Sequence, residues 1–299
     1  MGKFDGVLLA SDMDGTLLDS GHEISRENAE AVRYFTDNGG LFTIASGRMI
    51  PAIELYTRQL SINAPVIALN GAAVYDIKSS ALLRSRPHDA NIAEIVEGLA
   101  GAFPELGVEV VMLDRMYICR GSEVSRVHCE IIRVPYVLTD VRDVAAASAG
   151  GGRMEQSLQD KLVNHKAASA GGGRIKQCMK LNLTQAPEYL DGVERYMSAS
   201  YPGAFCVVHS DPHYLEVLHI DANKGWGLDA VADIMKVSRG HVYAAGDNYN
   251  DIELLKRAAV AFAPANAEPQ VKESADVVVS SNDEHAIRDV IAHLDARYG

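Results

Sequence analysis

The chain alternates short, mostly apolar runs with longer amphipathic stretches. Gly6-Val7-Leu8-Leu9-Ala10-Ser11, Leu41-Phe42-Thr43-Ile44-Ala45, Pro65-Val66-Ile67-Ala68-Leu69 and His241-Val242-Tyr243-Ala244-Ala245 are such runs. So are Val260-Ala261-Phe262-Ala263 and Val277-Val278-Val279. Runs of this length, ending in turn residues, read as strands buried on both faces, the kind that build parallel sheets. Between the first two, residues 25–38 form a predicted helix. Ser25 can cap it, Ala29, Val32 and Phe35 share a face, and Gly39-Gly40 ends it. Further helices are expected over 226–237, 268–273 and 283–298, with another from about Ile252. This rhythm predicts an α/β class protein with a Rossmann-like parallel sheet.

The rhythm changes near residue 85. Asn70-Gly71 is a hairpin-turn signal, and Ala73-Val74-Tyr75-Asp76 can pair with Ala81-Leu82-Leu83. A helix fits 91–102, with Ile92, Ile95, Val96 and Leu99 on one face. Two strands, 108–113 and 116–119, flank a turn at Asp114-Arg115. A helix over 122–133, an alternating strand over 179–184, a helix over 187–198 and strands over 205–208 and 214–218 complete the stretch. Helices alternating with adjacent strand pairs predict an α+β module laid on one sheet. The expected organisation is a core from 1–84 and 211–299 with an inserted domain over 85–210. Within the insertion, Ala147-Ser148-Ala149-Gly150-Gly151-Gly152-Arg153 recurs as Ala168-Ser169-Ala170-Gly171-Gly172-Gly173-Arg174. Two copies do not make a solenoid. They read as a flexible insertion, the alternative being an anion cradle.

Composition narrows the class. The 299 residues are 47% hydrophobic and 23% charged, ordinary for a globular chain long enough for two domains. A net charge of -12 gives no general attraction to nucleic acid or to an anionic membrane. No apolar run reaches the roughly 18 residues of a membrane span, and the first strand begins too early to leave room for a signal peptide. Cys119, Cys129, Cys178 and Cys206 lack CxxC spacing and read as unpaired thiols, which suits a cytoplasmic location. The ten histidines lack spacing such as HExxH. His209, His213 and His219 cluster near turns and strand ends, and read as exposed or satisfied side chains.

The chemistry sits at strand ends. The first strand runs into Asp12-Met13-Asp14-Gly15-Thr16-Leu17-Leu18, at the edge where open α/β sheets bind ligands. Two carboxylates two residues apart, on a backbone bent by Gly15, can face one point, and a divalent cation would relieve their repulsion. An aspartate is also a competent nucleophile toward phosphorus. The second strand runs into Ser46-Gly47-Arg48, where a hydroxyl and backbone N–H groups suit a phosphate oxygen. Arg48 either touches substrate or faces solvent. Lys224 precedes a helix, and an ammonium there can neutralise a carboxylate and a phosphate together. A second acidic turn, Gly246-Asp247-Asn248-Tyr249-Asn250-Asp251, follows the fourth of these apolar runs.

These four stretches, in this order, resemble the motifs of the haloacid dehalogenase (HAD) superfamily, and the insertion resembles the C2B-type cap of its Cof-like subfamily. The resemblance implies a fold, a Rossmann-like core with an α+β cap that closes over the site as a lid. It also implies roles. Asp12 would be the nucleophile and Asp14 the general acid and base. Mg²⁺ would be held by the Asp12 carboxylate, the Asp14 main-chain carbonyl and Asp247. Ser46, Gly47, Met13, Lys224 and Asn250 would bind phosphate, and Asp251 would orient Lys224. Asn70-Gly71 is similar to an NG that Cof-type members carry close to the site, where it is a turn or a ligand. The implied activity is hydrolysis of small phosphate monoesters, sugar phosphates foremost, through an aspartyl-phosphate. The expected partner is that small-molecule phosphate ester, with no nucleic acid and no membrane, and the resemblance implies a monomer or homodimer. A phosphomutase on the same fold, a receiver-like signalling domain and a non-catalytic phosphate-ligand sensor are the alternatives. An acid at Asp14 and a large insertion between motifs oppose the receiver.

Overall fold

The computed structural model describes residues 2–88, 92–122, 124–125, 127, 134, 136–139 and 178–299. The chain divides into two compact units. The first comprises Met1–Arg48, Ile53–Ser85 and Ala222–Gly299, and the second Met49–Ala52 and Arg86–Asp221.

In chain order, β1 (Leu8–Ser11) is buried along its whole length. Helix α1 (Arg26–Asp37) starts where the Ser25 side chain accepts from the Asn28 N–H, and it buries Val32 and Phe35. Strand β2 (Leu41–Ile44) runs parallel to β1, with Leu41 opposite Leu8 and Ile44 opposite Ser11. After α2 (Ile50–Thr57) come β3 (Val66–Ala68), β4 (Ala73–Asp76) and β5 (Ala81–Ser85). These three form an antiparallel sheet of their own. β3 thus stands outside the main parallel sheet, touching it through one parallel bridge between Ala45 and Ile67. The turn between β3 and β4 carries Leu69, Asn70 and Gly71, all at positive φ.

The second unit is an α+β layer. Among the described residues its elements are α3 (Ile92–Ala102), β6 (Gly107–Val111), β7 (Met116–Arg120), β8 (Tyr136–Leu138), β9 (Lys180–Thr184), α4 (Pro187–Ser200), β10 (Phe205–Asp211) and β11 (Tyr214–His219). The strand order is β10-β11-β9-β6-β7-β8. Every pair is antiparallel except β7 and β8. Period-two alternation sorts the two faces. Val108, Val110, Leu181, Leu183, Leu215 and Val217 pack against Ile95, Val96 and Leu99 of α3 and Leu190, Val193 and Met197 of α4. Lys180, Asn182, Glu109 and Glu216 take the alternate positions. Lys180 pairs with Glu216 at 2.8 Å, and Asn182 Nδ2 donates to Glu109 Oε2 at 3.0 Å. β11 is in register with both β9 and β10, so this unit continues to Asp221 and does not stop at residue 210. Most of the helix expected over 122–133, and both glycine repeats, lie outside the described residues.

The chain then returns to the first unit. Helix α5 (Lys224–Met235) starts two residues earlier than the apolar pattern predicts, because the Asn223 side chain accepts from the Trp226 N–H and caps it there. β12 (Val242–Ala245), α6 (Ile252–Leu255), β13 (Val260–Pro264), α7 (Pro269–Glu273), β14 (Val277–Val279) and α8 (Ala286–Tyr298) follow. The main sheet is parallel throughout, in the order β14-β13-β12-β1-β2. Leu8, Ala10, Val242, Ala244, Ala261 and Ala263 share a core with Leu228 and Val231 of α5. β1 has β2 on one side and β12 on the other, so the strand order reverses there. A crevice opens at such a switch point, beyond the carboxyl ends of the strands. No helix among the described residues is long and apolar enough to cross a membrane.

One close approach fixes where α5 begins. Gly71 has φ +90, and a Cβ on it would stand 2.0 Å from the Asn223 carbonyl oxygen and 3.0 Å from the Lys224 nitrogen. Gly71→Ala should therefore lower unfolding free energy by about 2 kcal/mol or more, from the strained φ and the backbone clash together. Urea unfolding measures this; a loss under about 0.5 kcal/mol would show that the approach is not tight.

Candidate active site

The site begins where β1 and β12 run out. The Asp12 N–H donates to the Ala245 carbonyl at 2.9 Å, which carries the pairing one residue past the strand. The chain then turns tightly, with the Met13 carbonyl accepting from the N–H groups of Leu17 and Leu18 at 3.0 and 2.8 Å. Gly15 sits at φ +81, and a Cβ there would stand 2.3 Å from Asp247 Oδ2. Only glycine at this position leaves room for Asp247. Thr16 Oγ1 donates to Asp247 Oδ1 at 2.7 Å and fixes it from the same turn.

Lys224 occupies the middle. Its Nζ lies 2.6 Å from Asp12 Oδ1 and 2.6 Å from Asp251 Oδ1, with the lysine side chain 1% exposed and Asp251 fully enclosed. The other Asp251 oxygen accepts from the N–H groups of Asp247 and Asn248, both at 3.1 Å. Asp251 therefore ties the lysine to the turn that carries Asp247.

Carboxylate oxygens of Asp12, Asp247 and Asp251 lie within 4.8 Å of one another. Burial raises the Asp12 pKa well above the ordinary carboxylate range. Lys224 opposes that rise, and Asp251, Asp247 and Asp14 add to it. Burial, then Asp251, pushes Asp247 up to about 6 against the bond from Thr16. Burial works against the Lys224 charge, but Asp12 and Asp251 outweigh it and raise the ammonium's pKa. When all three are ionised, the one ammonium leaves two negative charges unbalanced. A divalent cation with oxygen ligands balances that excess, and the all-carboxylate donor set suits Mg²⁺. Asp12 and Asp247 are the carboxylates with capacity for it, since both Asp251 oxygens are engaged.

The Asp14 side chain is elsewhere. Arg48 Nε and Nη2 donate to its two oxygens at 2.8 and 2.5 Å. Burial opposes the Arg48 charge, but its bonds to Asp14 and then to Tyr56 outweigh it and raise the guanidinium's pKa.

The third group surrounds Ser46, one residue beyond the Ala45 N–H bond to the Ser11 carbonyl. The Ser46 N–H donates to the Ile67 carbonyl at 2.9 Å, and the Arg48 N–H donates to Ser46 Oγ at 3.1 Å. Of the backbone N–H groups in this turn, those of Ser46 and Arg48 are committed, which leaves the Ser46 hydroxyl proton to donate to a ligand. Asn250 Nδ2 donates to Asn70 Oδ1 at 3.0 Å. A Cβ on Gly47 would lie 3.1 Å from the same Asn70 amide. Ser46, Gly47, Asn70 and Asn250 thus form one neighbourhood, Asp12, Lys224, Asp247 and Asp251 another, and Met13 lies buried in the turn between Asp12 and Asp14.

Sequence reasoning missed Thr16 as a site residue and left Asn70 and Arg48 open. Thr16 stands within the first acidic turn. Asn70 read as a turn residue at least as readily as a ligand, and it fills the turn role at φ 53. Arg48 finds its partner across the fold, which no local pattern reveals.

A family model described as haloacid dehalogenase-like hydrolase matches residues 9–291. The chain belongs to this family of hydrolases. Among its relatives, 5-amino-6-(5-phospho-D-ribitylamino)uracil phosphatase YwtE of Bacillus subtilis is 28% identical over 302 residues, covering 96% of this chain and 97% of that one. Phosphatase YwpJ of the same organism is 27% identical over 302 residues, covering 96% and 99%. In fold, a haloacid dehalogenase-like hydrolase from Bacteroides thetaiotaomicron superposes with a TM-score of 0.77 at 20% identity, over 96% of this chain and 99% of that one.

A carboxyl group whose pKa is raised by folding contributes stability that is present below its unfolded pKa and lost as pH rises through its folded one. For Asp247 that window runs from the ordinary carboxylate value of 3.8 to about 6. In chelator, the thermal midpoint of the wild type should therefore fall across this window, and Asp247→Asn should flatten the fall and be more stable by about 2 kcal/mol at pH 7.5. Mg²⁺ should raise the midpoint of the wild type and not of the variant. Scanning calorimetry at several pH values tests this, and an Asp247→Asn midpoint that still falls as steeply as the wild type's would count against it.

Proposed function

We propose that this hydrolase is a magnesium-dependent phosphatase of small phosphate monoesters, sugar phosphates foremost, working through an aspartyl-phosphate on Asp12. The observation that carries the reading is the Lys224 ammonium, held at 2.6 Å from both Asp12 and Asp251 at the sheet's switch point. A buried carboxylate whose charge is shared with an ammonium is a nucleophile that can meet an anionic phosphate without prohibitive repulsion.

In the proposed first step, an Asp12 oxygen attacks phosphorus as the bond to the leaving oxygen breaks, and Asp14 gives that oxygen a proton. In the second, Asp14 takes a proton from a water, which attacks the aspartyl-phosphate. The Asp12–phosphorus bond breaks, and inorganic phosphate leaves. Lys224 offsets charge on Asp12 and on the transferring group. The Ser46 hydroxyl and Asn250 bind phosphoryl oxygens, with backbone N–H groups near Met13 and Gly47 contributing. Asp251 orients Lys224. Mg²⁺, held by Asp12, Asp247 and the Asp14 main-chain carbonyl, supplies Lewis-acid stabilisation of phosphoryl charge when bound.

The sugar-phosphate class is supported by the relative whose name describes a phosphate on a ribityl chain. A cytoplasmic monomer or homodimer, without nucleic acid or membrane partners, completes the reading.

Asp12→Asn should lower turnover by about a thousandfold or more, because the amide keeps the shape and loses the nucleophile, while leaving the thermal midpoint near or above that of the wild type. Phosphate release from a panel of hexose phosphates, ribitol 5-phosphate and p-nitrophenyl phosphate tests this. Retained activity in the folded variant would reject Asp12 as nucleophile. Excess chelator should stop the wild-type reaction and added Mg²⁺ restore it; turnover unaffected by chelator would reject the metal.

A further inference from the structure

Asp12 and Asp14 are two residues apart yet are held by different cations. Asp12 is enclosed against Lys224, whereas Asp14 is 43% exposed and gripped by Arg48, itself 20% exposed. Arg48 uses Nε for one Asp14 oxygen and Nη2 for the other. This is the parallel fork that a guanidinium can make and an ammonium cannot.

Arg48 is itself braced. Its Nη1 donates to Tyr56 Oη at 3.2 Å, and its guanidinium carbon lies 5.1 Å from the centre of the Tyr56 ring. Tyr56 Oη in turn donates to the His22 carbonyl at 3.3 Å. His22 belongs to the loop that follows Asp14, with its Nδ1 3.6 Å from Asp14 Oδ1. The cluster closes on itself: Asp14 to Arg48, Arg48 to Tyr56, Tyr56 to the loop that carries Asp14.

The pair is half-buried and bonded at two points, which sets it apart from an ordinary surface ion pair. What it supplies is orientation. An exposed aspartate on a turn samples several rotamers, and a two-point bond from a braced arginine selects one. Proton transfer needs that selection, because a donor must lie within hydrogen-bond reach of the leaving oxygen.

We propose that Arg48, braced by Tyr56, is the positioning residue of Asp14, fixing the carboxyl orientation from which the proton reaches the leaving oxygen. The proposal rests on the acid–base role assigned to Asp14 above.

Esters with different leaving groups test it. A sugar alkoxide cannot depart without a proton, whereas nitrophenolate can. The ratio kcat/KM reports events up to phosphoryl transfer to Asp12, so it isolates the step in which the proton is given. With ribitol 5-phosphate and glucose 6-phosphate, Arg48→Ala should lower kcat/KM by about a hundredfold, and with p-nitrophenyl phosphate by less than about tenfold. Arg48→Lys keeps the charge and loses the fork, so it should behave as Arg48→Ala. Tyr56→Phe should show the same selectivity between esters at smaller size. In an Asp14→Ala background, Arg48→Ala should add less than about twofold, as expected of residues that act as one unit.

An equal fall on all esters would overturn the proposal, since it would place Arg48 on the phosphate or in the fold. A further large loss in the Asp14→Ala background, or wild-type rates for Arg48→Lys, would do the same. Wild-type protein that is folded with Mg²⁺ yet silent on every ester would remove the phosphatase reading and this inference with it.

Discussion

An ammonium enclosed between two carboxylates is the constraint on which the first unit depends. Burying a lone charge costs several kcal/mol, and removing one partner of a buried pair leaves that cost uncompensated. Lys224 meets it with two bonds of 2.6 Å. Each bond reaches a different part of the chain. Asp12 belongs to the end of β1, Asp251 to the turn after β12, and Lys224 to the first turn of α5. The Asn223 cap and the Gly71 approach decide where that first turn lies. Asp251 extends the same constraint with its second oxygen, through the N–H groups of Asp247 and Asn248. The geometry of three segments far apart in the chain therefore reduces to the position of one nitrogen atom.

The two carboxyl groups of the first acidic turn show how neighbours in sequence acquire different chemistry. Gly15 lets the turn close against Asp247, and Asp12 is drawn inward to the lysine. Asp14, on the far side of the same turn, is drawn to a guanidinium at the surface. One environment raises the pKa by burial and collects negative charge, which an oxygen-liganded divalent cation balances. The other offers water and a directional hold. The proposed nucleophilic attack and proton transfer ask for two such environments separately, and a spacing of two residues on a bent backbone supplies both.

Much of the core was legible because buried parallel strands leave a blunt signal: β1, β2, β12, β13 and β14 are short apolar runs that end in turns. The acidic residues were legible because strand ends are where such sheets keep ligands. Features that depend on partners distant in sequence were not. Arg48 has no local pattern, and its role emerges only when Asp14 and Tyr56 meet it. β3 reads like the other buried strands, yet it pairs with β4 in a sheet of its own, because buried runs carry no mark of which neighbour they will choose. β8 has only three residues and too little alternation to register. The end of the insertion was placed short of β11, whose membership of the second sheet is settled by its register with β9 and β10. Lys224 was expected just before its helix, since the apolar pattern marks the buried face and not the cap.

The order of strands carries a consequence for synthesis. β1 ends at Ser11, but its partner on one side, β12, begins at Val242, so β1 leaves the ribosome long before β12 is made. Until then β1 offers β2 on one flank and an open row of backbone groups on the other, along a stretch whose four residues are all buried in the finished protein. Exposed strand edges of this kind recruit other chains. A nascent chain of this protein therefore makes its whole second unit while this edge of β1 is uncovered. β1 needs cover of the kind a chaperone supplies, long before the lysine and the second acidic turn exist to complete the site.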